Sequence, residues 1–139
     1  MDELVDWSTF ARMRTQLGAS FVRILGYFRE DGEKALCRIE EAMHRQDATG
    51  LILPAHTLKA EARQFGADPL ADLAETIEFA CRRALESHLF PDDILPEVAK
   101  LRPLYLKTIT LLEEETNPLL QRRAGGFGKK PSNQEFGRI

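Results

Sequence analysis

The run Ala55-His56-Thr57-Leu58-Lys59-Ala60-Glu61-Ala62-Arg63-Gln64-Phe65-Gly66 decides how the rest of the chain is to be understood. Together with Leu51, the residues Ala55, Leu58, Ala62 and Phe65 recur at steps of four and three, the apolar stripe of an amphipathic helix. At roughly 100° per residue, His56 falls nearly opposite that stripe. Lys59 and Arg63 follow on its flank, one and two turns later, and Ala60 beside it is small. A lone surface histidine is most often a solvated side chain, so its neighbours must carry any further meaning. An imidazole between two cations, with little bulk at its side, is a place for an anion to arrive.

Gly66 stands where a C′ glycine ends a helix, and Asp68-Pro69 predicts an N-cap followed by a proline at the first position of the next helix. The two helices therefore fold back as an antiparallel hairpin centred on Ala67. His56 and Glu78 each lie eleven residues from that centre, which sets them at similar heights on neighbouring helices. Glu78 is then either an ordinary surface carboxylate or a partner within reach of His56.

Outward from the hairpin the chain continues as helices. Asp6-Trp7-Ser8 opens a short one to about Gln16, with Asp6 as N-cap and Trp7 and Phe10 inward, and Gly18-Ala19-Ser20 breaks it. A long helix then runs to about Arg45 on Phe21, Leu25, Phe28, Leu36, Ile39 and Met43, with Gly32 marking close helix contact or a mild bend. Pro54 is tolerated if the His56 helix begins near Thr49 or later, and an earlier start predicts a kink before His56. Ile52 and Leu53 lie near the His56 face, either against the N-terminal helix or exposed as apolar docking residues. The next helix, from Pro69 to about Ser87, turns Leu70, Leu73, Ile77, Cys81 and Ala84 inward. The last begins around Phe90-Pro91-Asp92-Asp93 and ends near Glu115, with a kink expected at Pro103. The expected fold is all-α, an antiparallel four-helix bundle with a short N-terminal capping helix.

Composition narrows the function. The chain has 139 residues, 43% hydrophobic and 29% charged, as expected of one soluble domain with a real core. From Asn117 five cations face one anion, so residues 117–139 carry +4 and residues 1–116 carry −7 of the net −3. Residues 1–116 are expected to be the bundle domain, and 117–139 a basic, glycine-containing tail without order. An acidic body is unsuited to gripping nucleic acid through phosphates. No apolar run approaches a membrane span and Met1-Asp2-Glu3 is no signal peptide, which points to the cytoplasm. Cys37 and Cys81 fall on apolar helical positions and are expected as reduced core residues. Neither forms a ligand cluster with His44 or His88, and no metal is expected on this chain. No glycine-rich phosphate cradle of nucleotide-binding form is present either, so autophosphorylation from ATP is not expected.

His56-Thr57-Leu58-Lys59, with Gly66, Leu70, Leu73 and Glu78 at their offsets, resembles the histidine-containing phosphotransfer (HPt) domain of phosphorelays, over roughly residues 6–116. Two positions depart from the family pattern: Ala60 where glycine is usual, and Glu61 where a small residue is usual. The latter would set a carboxylate near the phosphoryl site.

The resemblance implies that His56 accepts a phosphoryl group from a receiver-domain aspartate and passes it to another receiver, with a sensor or hybrid histidine kinase upstream. Lys59 would hold phosphoryl oxygens, and Glu78, accepting from Nδ1–H, would make Nε2 the nucleophile. Ile52, Leu53, Ala60, Arg63, Gln64 and Gly66 are the expected binding residues. The assisting Mg²⁺ would sit on the receiver, and the chain would act as a monomer. The alternative is a non-catalytic adaptor that binds a receiver or kinase without being phosphorylated, a reading favoured by Ala60 and Glu61.

Overall fold

The computed structural model describes residues 3–116. Among them five α-helices follow one another without a strand: α1 (Trp7–Leu17), α2 (Phe21–His44), α3 (Ala48–Gln64), α4 (Asp68–Ser87) and α5 (Leu95–Thr116). The basic tail anticipated from residue 117 lies outside the described residues. The chain divides into two units, Met1–Thr108 and Ile109–Ile139. The helical bundle that positions the site belongs to the first. The described part of the second is the end of α5.

Each helix starts for a local reason. The Asp6 carboxylate accepts from the backbone N–H groups of Ser8 and Thr9, capping α1. A 3₁₀ turn over Gly18–Ser20 then leads directly into α2. On α2 Phe21, Leu25, Phe28, Leu36 and Ile39 are buried as their spacing predicts, while Ala42 rather than Met43 completes the stripe. Asp47 caps α3 by accepting from the Gly50 N–H. That helix begins at Ala48, one residue ahead of Thr49, and is unbroken through a buried Pro54. At the start of α5 the order differs from expectation. Asp92–Ile94 form a 3₁₀ turn that buries Ile94, and α5 itself starts at Leu95, which is exposed.

Three-residue links, Arg45–Asp47 and Phe65–Ala67, join α2 to α3 and α3 to α4, so these neighbours run antiparallel. Residues 95–108 of α5 lie against α2, also antiparallel. The Tyr105 hydroxyl donates to the Arg29 carbonyl at 2.7 Å, and Arg102, earlier on α5, reaches Glu33 and Glu40, later on α2. Gly32 is explained by this crossing. A Cβ there would stand 2.5 Å from Tyr105 Cε1, so the residue marks close contact between helices. Aromatic rings carry the packing inward from the cap. Phe10 meets Phe21, Phe21 meets Phe65 and Phe65 stacks on Phe28, at centroid separations of 5.2, 5.8 and 5.2 Å.

Candidate functional site

The α3–α4 link fixes the site by fixing the register of the two helices. Gly66 has φ +79°, the left-handed conformation that favours glycine, and its N–H donates to the Arg63 carbonyl. The Ala67 N–H reaches back to the Ala62 carbonyl, which completes a Schellman end. The Gly66 carbonyl accepts from the Asp6 N–H at 2.7 Å, and a Cβ on Gly66 would stand 2.5 Å from the Asp6 carbonyl oxygen. One glycine thus turns the hairpin and seats the start of α1. The N-cap of α4 is Ala67, with Asp68 and Pro69 in its first turn, one residue earlier than the sequence predicts.

With the register set, His56 and Glu78 meet. His56 Nδ1 lies 3.0 Å from Glu78 Oε2. The ring donates there as its Nδ1–H tautomer, because an ionised carboxylate only accepts. Glu78 itself is 2% exposed, and a buried carboxylate needs compensating charge. Lys59 Nζ stands 2.8 Å from Oε1 as an ion pair rather than an aligned hydrogen bond. Arg82, one turn further along α4, donates to Oε2 from Nε at 2.9 Å, and its terminal nitrogen lies 2.8 Å from the same oxygen as an ion pair. Burial pushes the Glu78 carboxyl up. The close Lys59 ammonium, with the hydrogen bonds from Arg82 and His56, outweighs it and holds the group below the usual carboxylate range. The second ring nitrogen of His56, Nε2, has no partner among the described residues and belongs to an exposed side chain.

The surroundings of the ring are open and partly apolar. Leu53, one turn before His56, is 70% exposed, and Ile52 is half-buried. Ala60, one turn after, is exposed and leaves space at the ring. Phe79 is exposed, and the Lys59 ammonium lies 5.1 Å from its ring centroid.

Other residues fall away from the ring. Arg63 is bound to Asp72 at 2.8 Å, with Glu75 and Asp68 at 3.5 and 3.7 Å, so it is engaged along α4 rather than free. Gln64 is exposed toward the end of α3. Gly66 is buried about three turns from His56, in the hinge rather than at the ring.

Two expectations about single residues need correcting. Glu61 does not add a carboxylate beside His56. Five residues on, it turns toward α2, where burial and the neighbouring Asp31 carboxylate push it up to about 7. Cys37 is not a core thiol. It is exposed beside Arg102, while Cys81 is buried, with its thiol pushed up to about 11 by burial. Arg82 was missed by sequence reasoning, although its offset of four from Glu78 on one helix is the signal for such a pair.

The described residues contain no group of three or more His, Cys, Asp and Glu side chains that could hold a metal ion. None of the described helices is long and apolar enough to cross a membrane.

A comparison with curated protein sequences gives no match. Among solved structures, the crystal structure of histidine-containing phosphotransfer protein B (HptB) from Pseudomonas aeruginosa PAO1 superposes with a TM-score of 0.72 at 20% identity, over 88% of this chain and 98% of that one. That likeness shows a shared fold. The Hpt domain family matches residues 23–117, which span α2 through α5 with the His56–Glu78 pair inside. The chain belongs to the Hpt domain family.

Proposed function

We propose that the protein is a phosphocarrier that takes a phosphoryl group from a receiver-domain aspartate onto His56 Nε2 and gives it to an aspartate of another receiver. The observation that carries this reading is the division of labour on one ring. Nδ1 is committed to a buried, ionised Glu78, and Nε2 points from an exposed side chain with small and apolar neighbours. In the forward step Nε2 attacks phosphorus, an N–P bond forms, and the P–O bond to the aspartate breaks to release its carboxylate. The proton stays on Nδ1, and Glu78 stabilises the positive ring that results. Lys59 supplies positive charge for the phosphoryl oxygens, because such transfers depend on positioning and charge neutralisation more than on covalent help. Mg²⁺, where it assists, belongs to the receiver. Leu53, Ile52 and Phe79 offer apolar contact for the receiver's face. We place the protein in the cytoplasm, as a monomer, downstream of a sensor or hybrid histidine kinase.

The test is incubation with a phosphorylated receiver, followed by intact-mass and acid-lability analysis of the wild type and His56→Gln. An acid-labile adduct is expected on the wild type and none on the variant, whose melting point stays within about 3 °C because the substituted side chain is exposed. Stable receiver binding without any adduct would instead establish the adaptor reading.

A further inference from the structure

Two cations answer Glu78, and they are not held alike. Lys59 is a compact charge on a flexible stem, and it comes from α3, the helix that carries His56. Its side chain is 15% exposed, and its ammonium lies between Glu78, Glu75 at 3.8 Å and the Phe79 ring. Arg82 comes from α4, the helix of Glu78 itself; its Nε–H donates to the oxygen that also accepts from His56, and its terminal nitrogen lies 2.8 Å from that oxygen. Its side chain is 51% exposed, so the grip does not depend on burying the arginine.

A phosphoryl group on Nε2 would bring a second anion beside the pair and draw Lys59 toward it. The lysine cannot leave Glu78 freely, because a buried carboxylate stripped of its counter-charge loses its ionised state or its place. Arg82 resolves the conflict. Being on the helix of Glu78, it keeps its hold while groups on α3 change partner.

We infer that Arg82 is a positioning residue, keeping Glu78 ionised and aimed at His56 Nδ1 while Lys59 turns from Glu78 to the phosphoryl group. The inference rests on the phosphocarrier reading and deepens it.

The first test needs no phosphate. Imidazole ¹⁵N spectra of the full chain report which nitrogen of His56 bears the proton, and Lys59→Gln imitates a lysine that has moved away. The Nδ1–H form is expected to persist in Lys59→Gln and to be lost to a mixture in the Lys59→Gln/Arg82→Gln double variant, with Lys59→Gln/Arg82→Lys restoring part of it. Persistence in the double variant, or loss already in Lys59→Gln, would overturn the inference.

The second test uses phosphorylated receiver. Arg82→Gln is expected to slow transfer at saturating receiver by about tenfold, the scale of losing an orienting partner, with the half-saturating concentration unchanged. A change confined to the half-saturating concentration would make Arg82 a docking residue and overturn the positioning role. If the wild type takes up no phosphoryl group while the spectra behave as expected, the phosphocarrier reading fails and the hold of Arg82 on the His56–Glu78 pair stands.

Discussion

The α3–α4 hairpin and the α2–α5 contact are built from the same two parts, a glycine that allows close approach and a charge network that crosses between helices. They differ in which charge sits at the centre. Between α2 and α5 the central group is a cation. Arg102 donates to Glu40 through two nitrogens and to Glu33 through a third, with Cys37 beside it, and remains 30% exposed. The hydrogen bonds to Glu40 and Glu33 hold this guanidinium above its usual range. Its fork is spent on fixed partners, and the network acts as a staple. Between α3 and α4 the central group is a buried carboxylate, and its donors converge from outside. One of those donors is an imidazole, which can give one nitrogen to the carboxylate and keep the other for chemistry. Burying the anion rather than the cation is what turns a staple into a site.

The two glycines separate the regions most strongly. Gly66→Ala is expected to cost about 3 kcal/mol, since a side chain there meets both a left-handed backbone and the Asp6 carbonyl. Gly32→Ala is expected to cost about 2 kcal/mol, because the Tyr105 ring it would strike is buried and tied to Arg29. Urea titrations of the two variants check the order, and a harmless Gly66→Ala would show that the hinge does not set the register.

Smaller, but more telling, is the contrast between the network centres. Glu78→Ala should slow phosphoryl acceptance about tenfold by releasing the imidazole from its orienting partner. Arg102→Ala should leave the transfer rate alone and lower stability by about 1 kcal/mol, the scale of a partly exposed ion-pair network. Transfer kinetics and melting of both variants decide this. Equal effects on the rate would erase the distinction between staple and site.

The smallest effect concerns Glu61. Its carboxyl is pushed up to about 7 in the folded chain, by burial first and then by Asp31. An acid with a raised folded value is favourable while protonated. Stability is therefore fully present below the unfolded value near 4.5 and declines as pH rises through about 7. Glu61→Gln should remove that decline and gain up to about 1 kcal/mol at pH 8, after allowance for screening by solvent. Parallel melting curves at pH 5 and pH 8 for both proteins test it.

Much of the site was legible because helical period and hairpin symmetry are geometric. Counting eleven residues either side of Ala67 was enough to bring His56 and Glu78 to one height, and the stripe from Leu51 to Phe65 told which face was free. What the sequence hid were the partners of charges. Lys59 and Arg63 look like free cations along α3, and only the packed α4 shows Glu78, Glu75 and Asp72 waiting for them. Glu61 was misplaced because its burial depends on the surface of α2, which a single-helix projection does not contain. Cys37 sits one residue past Leu36, and that 100° step carries it out of the core to the side of Arg102.

The most direct test of the link between geometry and chemistry is which nitrogen becomes phosphorylated. The full chain, phosphorylated by a receiver or by phosphoramidate, can be read by ³¹P and imidazole ¹⁵N NMR. Phosphoryl attachment at His56 Nε2, with Nδ1 still protonated toward Glu78, is the expected result. Attachment at Nδ1, or at a residue other than His56, would contradict the claim that the buried carboxylate directs the ring.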